Sequence, residues 1–197
     1  MSEPAVPTLT PTLTRSPLLA RHGAVAGEGV DAAVAWHYGD PVREQRLLLE
    51  GLAAVDLSHR AVVTVTGVDR LTWLHSITTQ HLTALAPRTS SEALVLSPKG
   101  HIEHALHLVD DGVTTWITAE PGTGAALTEW LRGMQFMLRV ETVDRTEEFA
   151  VIGEPVATES VDGEPLAWRD PWPSVTPGAM VRRRFLPFTV MVRGPPW

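Results

Sequence analysis

Three histidines at three-residue spacing, His101, His104 and His107, with Glu103 among them, form the densest run of metal-capable side chains in the sequence. A metal ion needs its ligands to converge on one point. The flanking turn residues mark this stretch as a strand, where alternate residues face opposite sides. His101, Glu103 and His107 then share one face, and His104 points away with Ile102 and Leu106. Solvent-facing or hydrogen-bonded histidines are expected there rather than a metal centre. A second group, Asp56 to Arg60, packs an acid, a hydroxyl (Ser58), an imidazole (His59) and a guanidinium between a helix and a strand. Two readings stay open: a joint whose side chains tie up loose backbone groups, or a corner that faces a ligand. A Ser-His-Asp triad is not readable from such spacing, because triads are assembled in space. Ser97-Pro98-Lys99-Gly100 is a hairpin turn, too short and too poor in Gly to cradle a phosphate. Pro121-Gly122-Thr123-Gly124 ahead of a helix offers backbone N–H groups to an anion.

The elements that must position these groups read as follows. Asp40-Pro41 opens a helix, with an Asp cap and Pro in the first turn. Its apolar pattern runs to near Asp56, with Leu47, Leu48, Leu52 and Val55 on one face. Residues 61–67 are a β-branched strand closed by Gly67. Residues 70–79 are helical, with Leu71, Leu74, His75 and Thr78 on one side. Strands at 92–97, 101–109 and 113–120, joined by turns at Pro98-Lys99-Gly100 and Asp110-Asp111-Gly112, form an antiparallel meander. An amphipathic helix follows on Leu127, Trp130, Leu131 and Met134, then strands at 138–143 and 148–154. Trp73, Trp116 and Trp130 are core candidates, and Trp168 and Trp172 core or domain-joint candidates. The fold class is α+β, a mixed or antiparallel sheet with packed helices.

Composition bounds the function. The chain has 197 residues, 16 Lys and Arg, 23 Asp and Glu, a formal charge of −7 and no Cys. It can bury roughly 70% of its unfolded surface and needs no staples. Without Cys it forms no disulfide, thiolate metal site or iron–sulfur ligation of its own. The acidic balance argues against direct nucleic-acid binding. No apolar run is long enough to span a membrane and no secretory signal opens the chain, so the cytoplasm is the expected compartment.

Residues 56–82, 92–112 and 131–141 together resemble the folate-binding YgfZ family, which is related to the T-protein (aminomethyltransferase) of the glycine cleavage system. The resemblance covers roughly Trp36 to Gly178. It implies a tetrahydrofolate-binding α+β domain at 34–153, before a linking segment at 154–178; ahead of it the Pro-, Thr-, Ala- and Gly-rich start, without periodicity, reads as a disordered tail at 1–33. It implies a role in maintaining iron–sulfur enzymes, including some that modify tRNA, with those enzymes as client partners. By that resemblance Asp56, Ser58, His59, Leu96, Ser97 and His104 are the folate-binding candidates.

Two departures matter. T-proteins carry N-x-x-G-G-I-x-D-D, and the matching stretch here, Ser97 to Ala105, has His104 and Ala105 in place of the paired acids. Ala holds no proton and orients no pterin amine. The resemblance therefore implies a binding module without catalytic residues, with a folate-dependent aminomethyltransferase as the alternative. The family's K-G-C-x-x-G-Q-E motif is also absent, for Lys99 is the sole Lys. Residues 179–197 carry four Arg, no acid and no clear periodicity. The expectation is a frame shift near Gly178 and a truncated family member that self-associates through an exposed face. A short paralogue with a basic tail is the alternative.

Overall fold

The computed structural model describes residues 14–154, 167–169 and 189–193. The first of these form a strap: a 3-10 turn at Pro17–Ala20, strand β1 (Val25–Ala26), a second 3-10 turn at Gly29–Asp31 and strand β2 (Ala35–His37), paired antiparallel with β1. A disordered tail over 1–33 was expected, and residues 14–33 depart from it. Ser16, Ala33 and Val34 are buried, and the Ser16 N–H donates to the Ala33 carbonyl at 2.8 Å. Long-range side-chain bonds hold the strap without local periodicity. Residues 1–13 lie outside the described residues.

Helix α1 (Pro41–Leu49) starts where the sequence reading put it. The Asp40 carboxylate accepts from the Arg43 N–H at 3.0 Å, and Glu44 reaches back to the N–H groups of Tyr38 and Asp40. It ends earlier than expected, because Gly51 takes a left-handed conformation (φ 74°) that closes the helix. Leu52 is left outside it and exposed, and none of the helix residues is buried.

Next come β3 (Val55–Asp56), β4 (Ala61–Thr66), α2 (Arg70–Ile77), β5 (Ser90–Leu96), β6 (Ile102–Asp110), β7 (Thr114–Ala119), α3 (Gly124–Gly133), β8 (Glu141–Asp144) and β9 (Ala150–Glu154). The β5-β6-β7 meander is present, extended to a five-stranded antiparallel sheet of order β5-β6-β7-β4-β8. Strand β10 (Ala167–Arg169) and strand β11 (Thr189–Arg193) join β9 and β3 in a second sheet of order β10-β11-β9-β3. Residues 189–193 thus pair between two other strands, where a tail set apart from the fold was expected. The Thr-Val-Met-Val run suits a strand. Trp172 and the proposed frame-shift point near Gly178 lie outside the described residues.

Every residue from Ala61 to Val65 is buried, so β4 is covered on both faces. On one face Ala61, Val63, Val65, Leu106, Leu108 and Ile117 pack with Trp73 and Leu74 of α2 and Leu127 and Leu131 of α3. On the other, Val62 and Val109 pack with Val151 and Trp168 of the second sheet, flanked by Leu57, Trp116 and Phe149. Trp168 is a core residue: its indole N–H donates to the Ser91 carbonyl at 3.0 Å. Arg70, at the start of α2, holds the buried Asp110 with two hydrogen bonds of 2.8 Å. Among the described residues no helix is long and apolar enough to cross a membrane.

Candidate functional site

Strand β3 pairs with β9, and the Leu57 N–H continues that ladder to the Val151 carbonyl. The chain then turns, with the Arg60 N–H donating to the Leu57 carbonyl at 2.9 Å, and enters β4. The Asp56 carboxylate organises this turn. One oxygen accepts from the Ser58 N–H at 3.0 Å and the Ser58 hydroxyl at 2.6 Å, and the other accepts from the Ser16 hydroxyl of the strap. His59 is 2% exposed, and its Nε2 lies 2.8 Å from Asp31 Oδ1. A carboxylate only accepts, so Nε2 carries a proton, and in a neutral imidazole Nδ1 is then an acceptor. That Nδ1 is buried with no hydrogen-bond partner among the described residues. Arg60 reaches Glu120, at the end of β7, at 3.3 Å. Tyr38 holds a buried hydroxyl with no partner among the described residues, and burial first, then the charge of Asp56, raise its pKa.

The joint reading of the Asp56–Arg60 group matches the hydrogen bonds above. Its side chains tie up the joint, and Asp56 and His59 line a cavity of about 610 Å³. The apolar wall comes from Val25, Val34 and Trp36 of the strap and from Val55 and Leu57. Glu28 and Asp31 add two further carboxylates. The strap residues of this cavity were not found in the sequence, because its elements are two to four residues long and carry no period.

The other three candidates sit on the β5–β6 hairpin. The Ser97 N–H donates to the His101 carbonyl at 2.8 Å, and the Ser97 hydroxyl accepts from the His101 N–H at 3.1 Å. Gly100 takes φ 80°, as this turn requires. Val95 pairs with His104 but Leu96 pairs with Ile102, so Glu103 is an extra residue in β6. Such a bulge breaks the strict alternation that the sequence reading assumed for His101, Glu103 and His107. Beyond it His104 shares the helix-side face with Leu106 and Leu108, whereas His107 turns to the second sheet and meets the Trp168 ring edge-on at 4.5 Å. His104 is half-buried, its Nδ1 has no partner among the described residues, and burial holds its pKa below the usual histidine value. Leu96 is partly exposed near the hairpin tip. Among the described residues no group of three His, Asp or Glu side chains is placed to hold a metal.

Register brings the two groups to one end of the five-stranded sheet. Ala61 pairs with Ala119, and Thr118 pairs with His107, so Leu106, Ala119 and Ala61 lie in one row. His104 and His59 each lie two residues back from that row, on either side of the end of β7. Ser58, Leu96, Ser97 and His104 do not line the cavity. The N-terminus of α3, offered above as an anion site, already faces a carboxylate: Asp144 Oδ2 lies 2.7 Å from where a Cβ on Gly124 would stand.

No protein-family model and no curated protein sequence matches the chain. Among solved structures it is similar to the glycine cleavage system aminomethyltransferase T from Bartonella henselae, with a TM-score of 0.61 and 18% identity. That likeness covers 73% of this chain and 40% of the other, so this chain spans well under half of that protein's length. A looser likeness, TM-score 0.39 at 11% identity, links it to a heterotetrameric sarcosine oxidase from Corynebacterium sp. U-96, over 78% of this chain and 84% of that one. The α+β fold, with antiparallel sheets and three α-helices among the described residues, is therefore that of the aminomethyltransferase T kind over the aligned region.

Proposed function

We propose that this chain is a YgfZ-like module that binds tetrahydrofolate at the end of the five-stranded sheet, between the Asp56–Arg60 corner and the Leu96–Leu106 hairpin. The observation that carries the reading is the T-protein-like fold, over 73% of the chain. The register that puts His59 and His104 at the same sheet end supports the location. Leu96 and Ser97 supply the hairpin wall, Asp56, Ser58 and His59 the corner. The composition supports binding over group transfer. His104 and Ala105 stand where the resemblance places two acids, and a half-buried neutral imidazole is a poor substitute for a carboxylate that must hold charge. The wider role in this reading is maintenance of iron–sulfur enzymes, some of them tRNA-modifying, acting on client proteins without holding a cluster, since the chain has no Cys. Its setting in this reading is the cytoplasm.

Equilibrium dialysis of the full chain against radiolabelled folinic acid, a stable tetrahydrofolate, tests the reading. Saturable binding of one folate per chain is expected. Absence of saturable binding would overturn it. Adding tetrahydrofolate with an aminomethyl donor separates the alternative: turnover would make the chain an aminomethyltransferase.

A further inference from the structure

The cavity beneath the strap has a chemistry of its own. Its walls are apolar, with Val25, Val34 and Leu57 among them, and Trp36 stands at it 78% exposed. Among the described residues its titratable lining groups are Glu28, Asp31, Asp56 and His59, with no Lys or Arg. Asp56 is satisfied by Ser16 and Ser58. Among the described residues the Glu28 and Asp31 carboxylates are exposed, and the Nδ1 of His59 is buried without a hydrogen-bond partner. A buried polar atom such as this Nδ1 is costly without a partner. An alkylammonium group offers three N–H donors and a positive charge. A volume of about 610 Å³ lies within the range of small-molecule pockets, which are mostly apolar with a few placed polar groups. An exposed indole beside such a site adds a face for a cation.

We propose that this cavity binds a small organic cation: an amine carrying an aliphatic or aromatic group, its ammonium toward Glu28, Asp31 and His59 and its apolar body against the strap and β3. This goes beyond the folate reading. The cavity shares Asp56 and His59 with the folate corner, but the hairpin residues of the folate reading do not line it, and its apolar and acidic strap residues are no part of that reading.

The test is calorimetric titration of the full chain with three probes of matched size: phenethylamine, phenethyl alcohol and hydrocinnamate. The amine is expected to bind saturably and at least roughly tenfold tighter than the alcohol, and the carboxylate not at all. Glu28 is exposed, so Glu28→Gln leaves the unfolding temperature unchanged while weakening the amine roughly tenfold. The proposal is overturned if the amine gives no saturable heat up to about 10 mM, if the alcohol matches it, or if Glu28→Gln leaves its affinity unchanged. No folate is present in the titration, so failure here and failure of the folate reading are separate results.

Discussion

Replacing Asp110 with Asn removes the charge that holds α2 on the sheet. The Asp110 side chain is 1% exposed and that of Arg70 11%. The carboxylate accepts two bonds of 2.8 Å from Arg70, one of 2.6 Å from the Thr115 hydroxyl and one of 2.8 Å from the Gly112 N–H. Burial alone would raise its pKa, and the bonds from Arg70, Thr115 and Gly112 more than offset that, so the carboxyl is held below its ordinary value. Asn keeps the shape but takes away the carboxylate that is hydrogen-bonded to the guanidinium, leaving only the more distant charge of Asp111. Removing one partner of a buried pair costs about 3–5 kcal/mol. At about 2–4 °C per kcal/mol for a chain of this length, the melting temperature falls by roughly 10 °C. Urea and thermal unfolding followed by circular dichroism read this directly. The pH dependence adds a second arm. A carboxyl whose folded pKa lies below its unfolded value of about 3.9 stabilises the fold above that value, and the stability is lost as pH falls through the folded pKa. The variant lacks this acid-side loss. The reasoning is refuted if Asp110→Asn costs under about 1 kcal/mol at neutral pH, or if it loses stability toward acid as steeply as the parent.

Three further substitutions probe the same scaffold. Gly67 has φ 108°, and a Cβ there would lie 2.0 Å from the Arg139 carbonyl oxygen, so Gly67→Ala costs about 3 kcal/mol or more by urea unfolding. Trp73→Phe removes the indole donor to the Met134 carbonyl at 2.9 Å, which ties α2 to the end of α3, and costs about 2 kcal/mol by the same assay. His104 is held below its ordinary pKa by burial, against the opposing charge of Glu103. The unfolded chain then takes up a proton near pH 6.5 that the folded chain refuses, so stability falls as pH drops from there toward the folded value. His104→Gln lacks that portion, and its urea midpoint changes less between pH values of about 7.5 and 5.5 than the parent's does.

Much of the scaffold was legible because it rests on local rules. The turns at Pro98-Lys99-Gly100 and Asp110-Asp111-Gly112 fixed the meander, and Asp40-Pro41 fixed the start of α1. The spacing of Leu127, Trp130 and Leu131 gave α3 its face. What escaped was set at a distance. Ser16 meets Asp56 from 40 positions away, His59 meets Asp31 from 28, and Arg70 meets Asp110 from 40. None of these pairings leaves a periodic trace. The extra residue at Glu103 also escaped, since a bulge reverses the facing of everything beyond it without any change in residue type. The Asp56–Arg60 group was singled out by its residue types, while the strap that packs over Asp56 and His59 was not.

The most direct test of the central claim maps where folate sits. Amide shifts of an isotope-labelled full chain are recorded as folinic acid is added. The account predicts that the largest shifts fall at Asp56–Arg60 and at Leu96–Leu106, the two segments that share one end of the sheet. Shifts confined elsewhere, or none at saturating folinic acid, would contradict it.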